Sequence, residues 1–505
     1  MLASTWLETE LPSYPPLESE EHVDVVIVGG GLTGITTAYL LAREGRRVAL
    51  IERDRLAGAD TGHTTAHLTY VTDTRLHDLA SRFGDDAARA FWEAGAAAVE
   101  LIASHVRESE ADCDFRWTPG YLHEPFGGGG GGKERDALLR DAALAERFGF
   151  EAQFLESVPG VGRPGVRFGG QATFHPRKYL SALLHVIEEA GGRIHERTAF
   201  ESVEDTPLRV RANGHAIRCD YLVIATHTPL VGKQGLIGAA LFQTKLALYT
   251  SYVLGARLPA GTSPTALWWD TNEPYEYLRV DRTSAGQFAI FGGGDVKTGQ
   301  EKDAEAVFAR LRERLGRRLP GAQVTHRWLG QVVETDDGLP YIGENAHREF
   351  IATGFCGNGF TLGTLAAAMA RDRYLGRPNP WFELFRADRR PVHGGLWRYV
   401  TENLDYPYYL LRDRLGLSGE VHKLEALKPG EGGLVVHDGR KLAAWRDDDG
   451  KVTLCSPLCT HMKCVVRWNK AARTWDCPCH GSRFRPTGEV LAGPAEAPLT
   501  RVQFQ

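Results

Sequence analysis

The 505-residue chain has little net charge: 59 Lys and Arg stand against 64 Asp and Glu, a formal −5. Without a basic excess there is no footprint for nucleic acid, and without an acidic block there is no solvating tail. No apolar run is long enough to cross a bilayer, so no membrane span is expected. The first 22 residues carry several acids and no apolar core behind a positive charge, so no cleaved leader is expected and the default location is cytoplasmic. Cysteine is sparse over most of the length. Cys113, Cys219 and Cys356 are isolated, whereas Cys455, Cys459, Cys464, Cys477 and Cys479 fall within 25 residues. A secreted disulfide scaffold would spread its cysteines through a small chain; a tight cluster in a long one reads as metal ligands. With 43% hydrophobic and 24% charged residues the composition is globular, which excludes disorder as the main state. At about 100–200 residues per domain, several domains are expected.

What is present begins at Val23. The stretch VDVVIVGGGLTGITTAYLLAREGRRVALIERD reads as a strand (Val25 to Val28), a glycine turn, a helix ending at Gly45 and a second strand (Val48 to Ile51) closing on Glu52. Gly29, Gly31 and Gly34 fit G-x-G-x-x-G, with Gly30 and Thr33 in the same turn. The first glycine permits the turn, the second lets backbone approach a pyrophosphate, and the third lets helix and strand pack closely. The helix N-terminus offers free N–H groups to the phosphates. Glu52, followed by Arg53, stands about twenty residues on, where an acid receives a ribose hydroxyl.

Four later segments extend the pattern: TGHTTAHLT (Thr61–Thr69), DYLVIATHTP near residue 220, DGLPYIG (Asp337–Gly343) and FIATGFCGNGFTLGTLAAAMA. The last reads as a strand, a glycine turn and a small-residue helix starting near Gly359. Together they resemble the amine- and amino-acid-oxidising flavoproteins related to D-amino-acid oxidase, glycine oxidase and sarcosine oxidase, over residues 20–385. The resemblance implies FAD. It places the first glycines, Glu52, Arg53, Thr61, His63, Thr64 and Thr65 on the cofactor, with Ala225, Thr226 and Gly338 beside it. It also lays Gly357, Asn358, Gly359, Phe360 and Thr361 against the isoalloxazine ring. His227 departs from the pattern, since a glycine is usual there. Some relatives link the flavin covalently, and His63 and Cys356 are the candidates here; an unlinked His63 contacting FAD is the reading adopted.

FAD-binding segments are expected at 23–85, 166–240 and 321–385, and substrate-domain segments at 86–165 and 241–320, after an N-terminal extension of 1–22. Asp86 to Val106 has an amphipathic helix pattern, while Gly127–Gly132 and FGGGDVKTG (Phe291–Gly299) read as loops. In YEYLR, two-residue alternation puts Tyr275, Tyr277 and Arg279 on one strand face. The resemblance implies that such an aromatic-plus-arginine set holds a substrate carboxylate, a task suited to guanidinium geometry. A packed or solvated sheet face is the alternative.

Residues 386–417 read as a linker with partial helix. From 418 to 505, short β-branched runs separated by Gly and Asp indicate a small all-β domain. Within it the spacing Cys459-x-His461 and Cys477-x-x-His480 supplies two Cys–His pairs on two loops, able to clamp one binuclear cluster. This resembles the Rieske [2Fe–2S] domain, whose centres span about −150 to +300 mV. The resemblance implies a disulfide between Cys464 and Cys479, a cluster-bonding hydroxyl at Ser482, and a covering proline loop at Gly493–Ala495. Tetrahedral zinc on the same four ligands is the competing reading. Phe484 stands where high-potential relatives carry a tyrosine, which removes one hydrogen bond and argues for a middling potential. Cys455 reads as structural.

The expected architecture is therefore α/β (α+β): a two-domain flavoprotein with a Rossmann-like FAD domain and a mixed-sheet substrate domain, plus a small all-β Rieske domain. FAD takes a hydride from a closed-shell substrate and the cluster moves single electrons, so joining them suits electrons that must leave by wire. The expected reaction is oxidation of a C–N bond in a small amine or amino acid. Electrons then pass to an external one-electron partner such as a ferredoxin, cytochrome or quinone, and an oligomer is compatible with the sequence. Reversed flow from a donor to the flavin, and a non-enzymatic redox sensor using Cys464 and Cys479, are the alternatives.

Overall fold

In a computed structural model of the chain, residues 4–127, 131–228, 245–283, 286–389, 405–414 and 421–502 are described. The β-branched run Val25–Val28 lies inside a six-stranded sheet and is buried along its whole length, as a strand covered on both faces must be. The order across the sheet is Tyr341–Ala346, Glu349–Thr353, Tyr221–Ile224, Val25–Val28, Val48–Ile51 and Arg193–His195. All neighbours are parallel except the antiparallel edge pair. The helix Leu32–Arg43 packs between the helices Pro176–Glu189 and Gly359–Tyr374, which explains why it is apolar and small on nearly every side.

A nine-stranded mixed sheet forms the second layer. It includes Gln323–Thr335, Leu246–Leu258, Gly286–Lys297, Tyr277–Thr283, Ala266–Asp270, Arg116–His123 and Gly165–Thr173 in that order. Gln323–Thr335 and all of Gly165–Thr173 but its first residue fall in segments assigned from sequence to FAD binding. They pair here because the long strands Leu246–Leu258 and Arg116–His123 require partners along their full edges. Phe291–Gly299, expected to be a loop, largely belongs to the strand Gly286–Lys297. Its glycines serve packing: a Cβ on Gly292 would lie 2.3 Å from the Tyr277 side chain, so the missing side chain makes room for that ring. The expected helix after Asp85 is found as Asp85–Glu108. Gly131 and Gly132 open the helix Gly131–Arg147 rather than a loop, and 128–130 lie outside the described residues.

The N-terminal stretch is part of the body of the protein. Trp6, Leu11, Tyr14 and Leu17 are buried, and Glu21–His22 pairs with His215–Arg218. Within the expected linker, Asp405–Arg414 is helical and the Tyr406 ring lies 5.3 Å from the His480 ring; 390–404 and 415–417 lie outside the described residues. The C-terminal unit is two small sheets around a core containing Val466, Trp475, Phe484 and Leu499. Among the described residues, no helix is long and apolar enough to cross a membrane.

Candidate functional site

The turn after Val28 is shaped by close approach. Gly29 has φ +109°, and a Cβ there would stand 2.5 Å from the Ala225 carbonyl oxygen. A Cβ on Gly34 would stand 1.9 Å from the Gly29 carbonyl, so only glycine lets the helix press onto the turn. Glu52 accepts hydrogen bonds from the Gly30 N–H at 2.7 Å and the Asp54 N–H at 2.8 Å. Burial raises its pKa, opposed by those two bonds.

This turn opens on a cavity of about 440 Å³ lined by Gly29, Gly31, Thr33, Glu52 and Arg53. Thr61, His63, Thr64 and Thr65 contribute a second segment, Ala225 and Thr226 a third, and Gly357, Asn358, Gly359 and Phe360 a fourth. Four expected contacts stand behind the wall instead. Gly30 gives its N–H to Glu52, Gly34 fills the helix–turn contact, the Gly338 N–H donates to Thr335, and Thr361 donates to the Thr69 carbonyl at 2.8 Å. His63 is pinned through Nδ1 to the Ala59 carbonyl at 2.8 Å, and burial lowers its pKa, so the ring faces the cavity uncharged. His227 has φ +66°, the region where glycine is favoured. Burial pushes the Cys356 thiol up to about 12, which leaves it protonated and a poor nucleophile for flavin attachment. Glycines that admit a close ligand, a helix N-terminus at Gly31 and a half-buried carboxylate with spare lone pairs fit FAD.

Tyr275 and Tyr277 line the same cavity, but Arg279 does not. Its guanidinium is 2% exposed and fully engaged by Asp281 at 2.6 Å, the Ala66 carbonyl at 2.6 Å and the Phe174 carbonyl at 2.7 Å. It lies behind the Thr65–Ala66 backbone, pinning that segment, so the expected role in holding a carboxylate is corrected. Strand alternation gives the face of a residue but not how far along the strand the cavity extends. Arg279→Met is expected to cost about 3–5 kcal/mol of stability by leaving Asp281 and the carbonyls unpaired, measurable by denaturant unfolding of the holoprotein.

Sequence reasoning missed Asp295, Asp73, Ser251, His67 and Trp269, all on the cavity wall. Asp295 escaped notice because its strand was read as a loop; a single acid in an otherwise apolar, glycine-rich run was the available signal.

In the C-terminal unit, Cys459 and Cys477 are buried and the His461 and His480 ring centroids lie 4.9 Å apart. Both nitrogens of His461 and Nδ1 of His480 are shut from solvent with no hydrogen-bond partner. Such atoms are costly unless something takes their lone pairs, so two thiols and two orphaned imidazoles fit a [2Fe–2S] cluster. The sulfurs of Cys464, Cys477 and Cys479 lie within 4.8 Å of one another, but Cys464 and Cys479 are disulfide-bonded and unavailable as ligands. The Cys477 thiol chiefly, with the His461 backbone N–H and the Ser482 hydroxyl, favours a thiolate on Cys459. Ser482 also accepts from the Ala495 N–H at 3.0 Å, tying the proline loop to the ligand loop.

The two sites adjoin. Leu491, Ala492, Gly493, Ala495 and Glu496 line the dinucleotide cavity, and Arg53 donates to the Leu491 carbonyl at 3.0 Å. Gln331, itself on the cavity wall, donates through Nε2 to the carbonyl of Gly481, next to His480, at 2.9 Å.

Residues 24–373 match the FAD dependent oxidoreductase (DAO) family. The chain belongs to that family. It is an enzyme, an FAD-dependent oxidoreductase, and residues 419–503 match the Rieske [2Fe-2S] domain. The chain is 33% identical over 506 residues to the putative Rieske 2Fe-2S iron-sulfur protein YhfW of Bacillus subtilis (strain 168), covering 98% of this chain and 96% of that protein. It is 24% identical to the gamma-glutamylputrescine oxidoreductase of Escherichia coli (strain K12), covering 82% of this chain and 99% of that one. The fold is similar to that of glycine oxidase from Geobacillus kaustophilus, with TM-score 0.61 and 18% identity, over 74% of this chain and 100% of the other.

Proposed function

We propose that this oxidoreductase oxidises a C–N bond of a small amine or amino acid and sends the electrons singly, through the Rieske domain, to an external acceptor such as a ferredoxin, cytochrome or quinone. FAD supplies hydride acceptance and the cluster supplies one-electron transfer when both are bound. The observation that carries the reading is the shared wall: Gln331 borders the flavin cavity and bonds the carbonyl beside His480. Its backbone N–H is held by Asp60 at 3.0 Å, and its Nε2 also donates to Thr298, so the bridge is fixed at both ends. Gln300 to the Pro478 carbonyl and Arg485 to Asp54 hold the ligand loop and its surroundings in the same place. The chain's own part is to seat the substrate beside Tyr275 and Tyr277, exclude water with the proline loop, and keep the two redox sites at constant separation.

The test is anaerobic mixing with amines and amino acids while the flavin band and the cluster's EPR signal are followed together. Bleaching followed by a reduced-cluster signal supports the reading; bleaching with an unchanged cluster overturns the relay. Gln331→Met is expected to leave the rate of bleaching unchanged while slowing cluster reduction several-fold, read by freeze-quench EPR.

A further inference from the structure

The wall contributed by the nine-stranded sheet carries a charge of the wrong sign for a carboxylate. Asp295, on Gly286–Lys297, borders the cavity with its Oδ1 closed to solvent and without a hydrogen-bond partner. Asp73 is a second carboxylate on this wall and accepts from the Tyr275 hydroxyl at 3.2 Å. Three aromatic rings stand with them: Tyr275 and Tyr277 have centroids 5.9 Å apart, and His67 lies edge-on to Tyr277 at 5.8 Å. His67 is uncharged, its pKa driven down to about 3 by burial and then by Arg279. The Tyr277 hydroxyl is engaged with Ser251 at 2.8 Å. Arg53, the one Lys or Arg among the described residues of the cavity wall, is turned to the Leu491 carbonyl.

A half-buried carboxylate with one oxygen closed to solvent and unpartnered, beside electron-rich ring faces, is the chemistry that receives an organic cation. An α-amino acid would instead bring its own carboxylate against Asp295 and Asp73, and like charges repel. We propose that this wall binds the ammonium group of an alkylamine through Asp295, with the Tyr275 and Tyr277 rings around it, so that the substrate class is cationic amines without an α-carboxylate. This rests on the proposed C–N oxidation and narrows it.

The pH dependence has a definite sign. Burial raises the Asp295 pKa to about 6, Ser251 opposing and the Glu334 charge adding to the rise. The other titratable groups facing it are Tyr275 and Tyr277, both un-ionised at neutral pH, with Asp73 and neutral His67 beyond them. An alkylammonium stays protonated throughout, so amine affinity is full above the Asp295 pKa and falls as pH drops through about 6.

The experiment titrates the anaerobic holoenzyme with butylamine, putrescine, glycine and sarcosine. It follows both the perturbation of the oxidised flavin band, which reports binding, and bleaching, which reports reduction. The amines are expected to bind and the amino acids to bind far more weakly. Asp295→Asn, nearly isosteric, is expected to weaken amine binding about 30-fold or more at pH 8. It should flatten the pH profile near 6, with FAD content and the EPR signal unchanged. Amino acids binding as well as the amines, or an Asn variant with undiminished amine affinity and an unchanged pH profile, would overturn the assignment. Bleaching by amino acids alone leaves C–N oxidation standing and removes the amine assignment. Asp295-dependent amine binding without bleaching does the reverse.

Discussion

Cys459→Ser is expected to erase the cluster's EPR signal while the protein keeps its FAD. Serine cannot supply a soft thiolate, and Cys459 is one of the two thiols that would hold the cluster together with His461 and His480. Substrate should still bleach the flavin under anaerobic conditions. Turnover with a one-electron acceptor should fall by about 100-fold or more, since even indirect supports of a metal site cost 10–100-fold when removed. The comparison is made on material with equal flavin content. If acceptor turnover is unchanged, electrons leave the flavin without passing through the Rieske domain.

Gly34→Ala is expected to have the opposite pattern, a loss of FAD with the cluster retained. The added Cβ would be 1.9 Å from the Gly29 carbonyl, a backbone atom that cannot swing aside. Relief requires the helix Leu32–Arg43 to move off the turn, which would withdraw the N-terminal N–H groups that would hold the phosphates of FAD. Overpacking of this kind costs about 1–3 kcal/mol in stability. The larger effect falls on cofactor retention, read as the flavin-to-protein absorbance ratio after gel filtration. The EPR signal of the C-terminal unit should be intact, because its core is separate.

Both variants act on features that local sequence makes plain. A turn that needs glycine at Gly29 and Gly34, or a pair of Cys–His sets, is written within one short segment, because its chemistry depends on spacing along it. The strand register of Tyr277–Thr283 was legible in the same way, but the position of Arg279 relative to the cavity was not. That depended on Thr65–Ala66, more than two hundred positions away, crossing in front of it. Asp295 was hidden for a related reason. The glycines around it looked like a loop until Tyr277 on the neighbouring strand gave them something to make room for.

The sequence by itself determined the two cofactor types, the dinucleotide turn and the α/β and all-β character of the parts, since each follows from local pattern. Only the tertiary structure decided that the proline loop of the Rieske domain lines the flavin cavity, that Gln331 joins the two sites, and that Asp295 and Asp73 stand on the cavity wall. These are contacts between segments far apart in the chain, and complementarity across such distances leaves no periodicity or spacing to read.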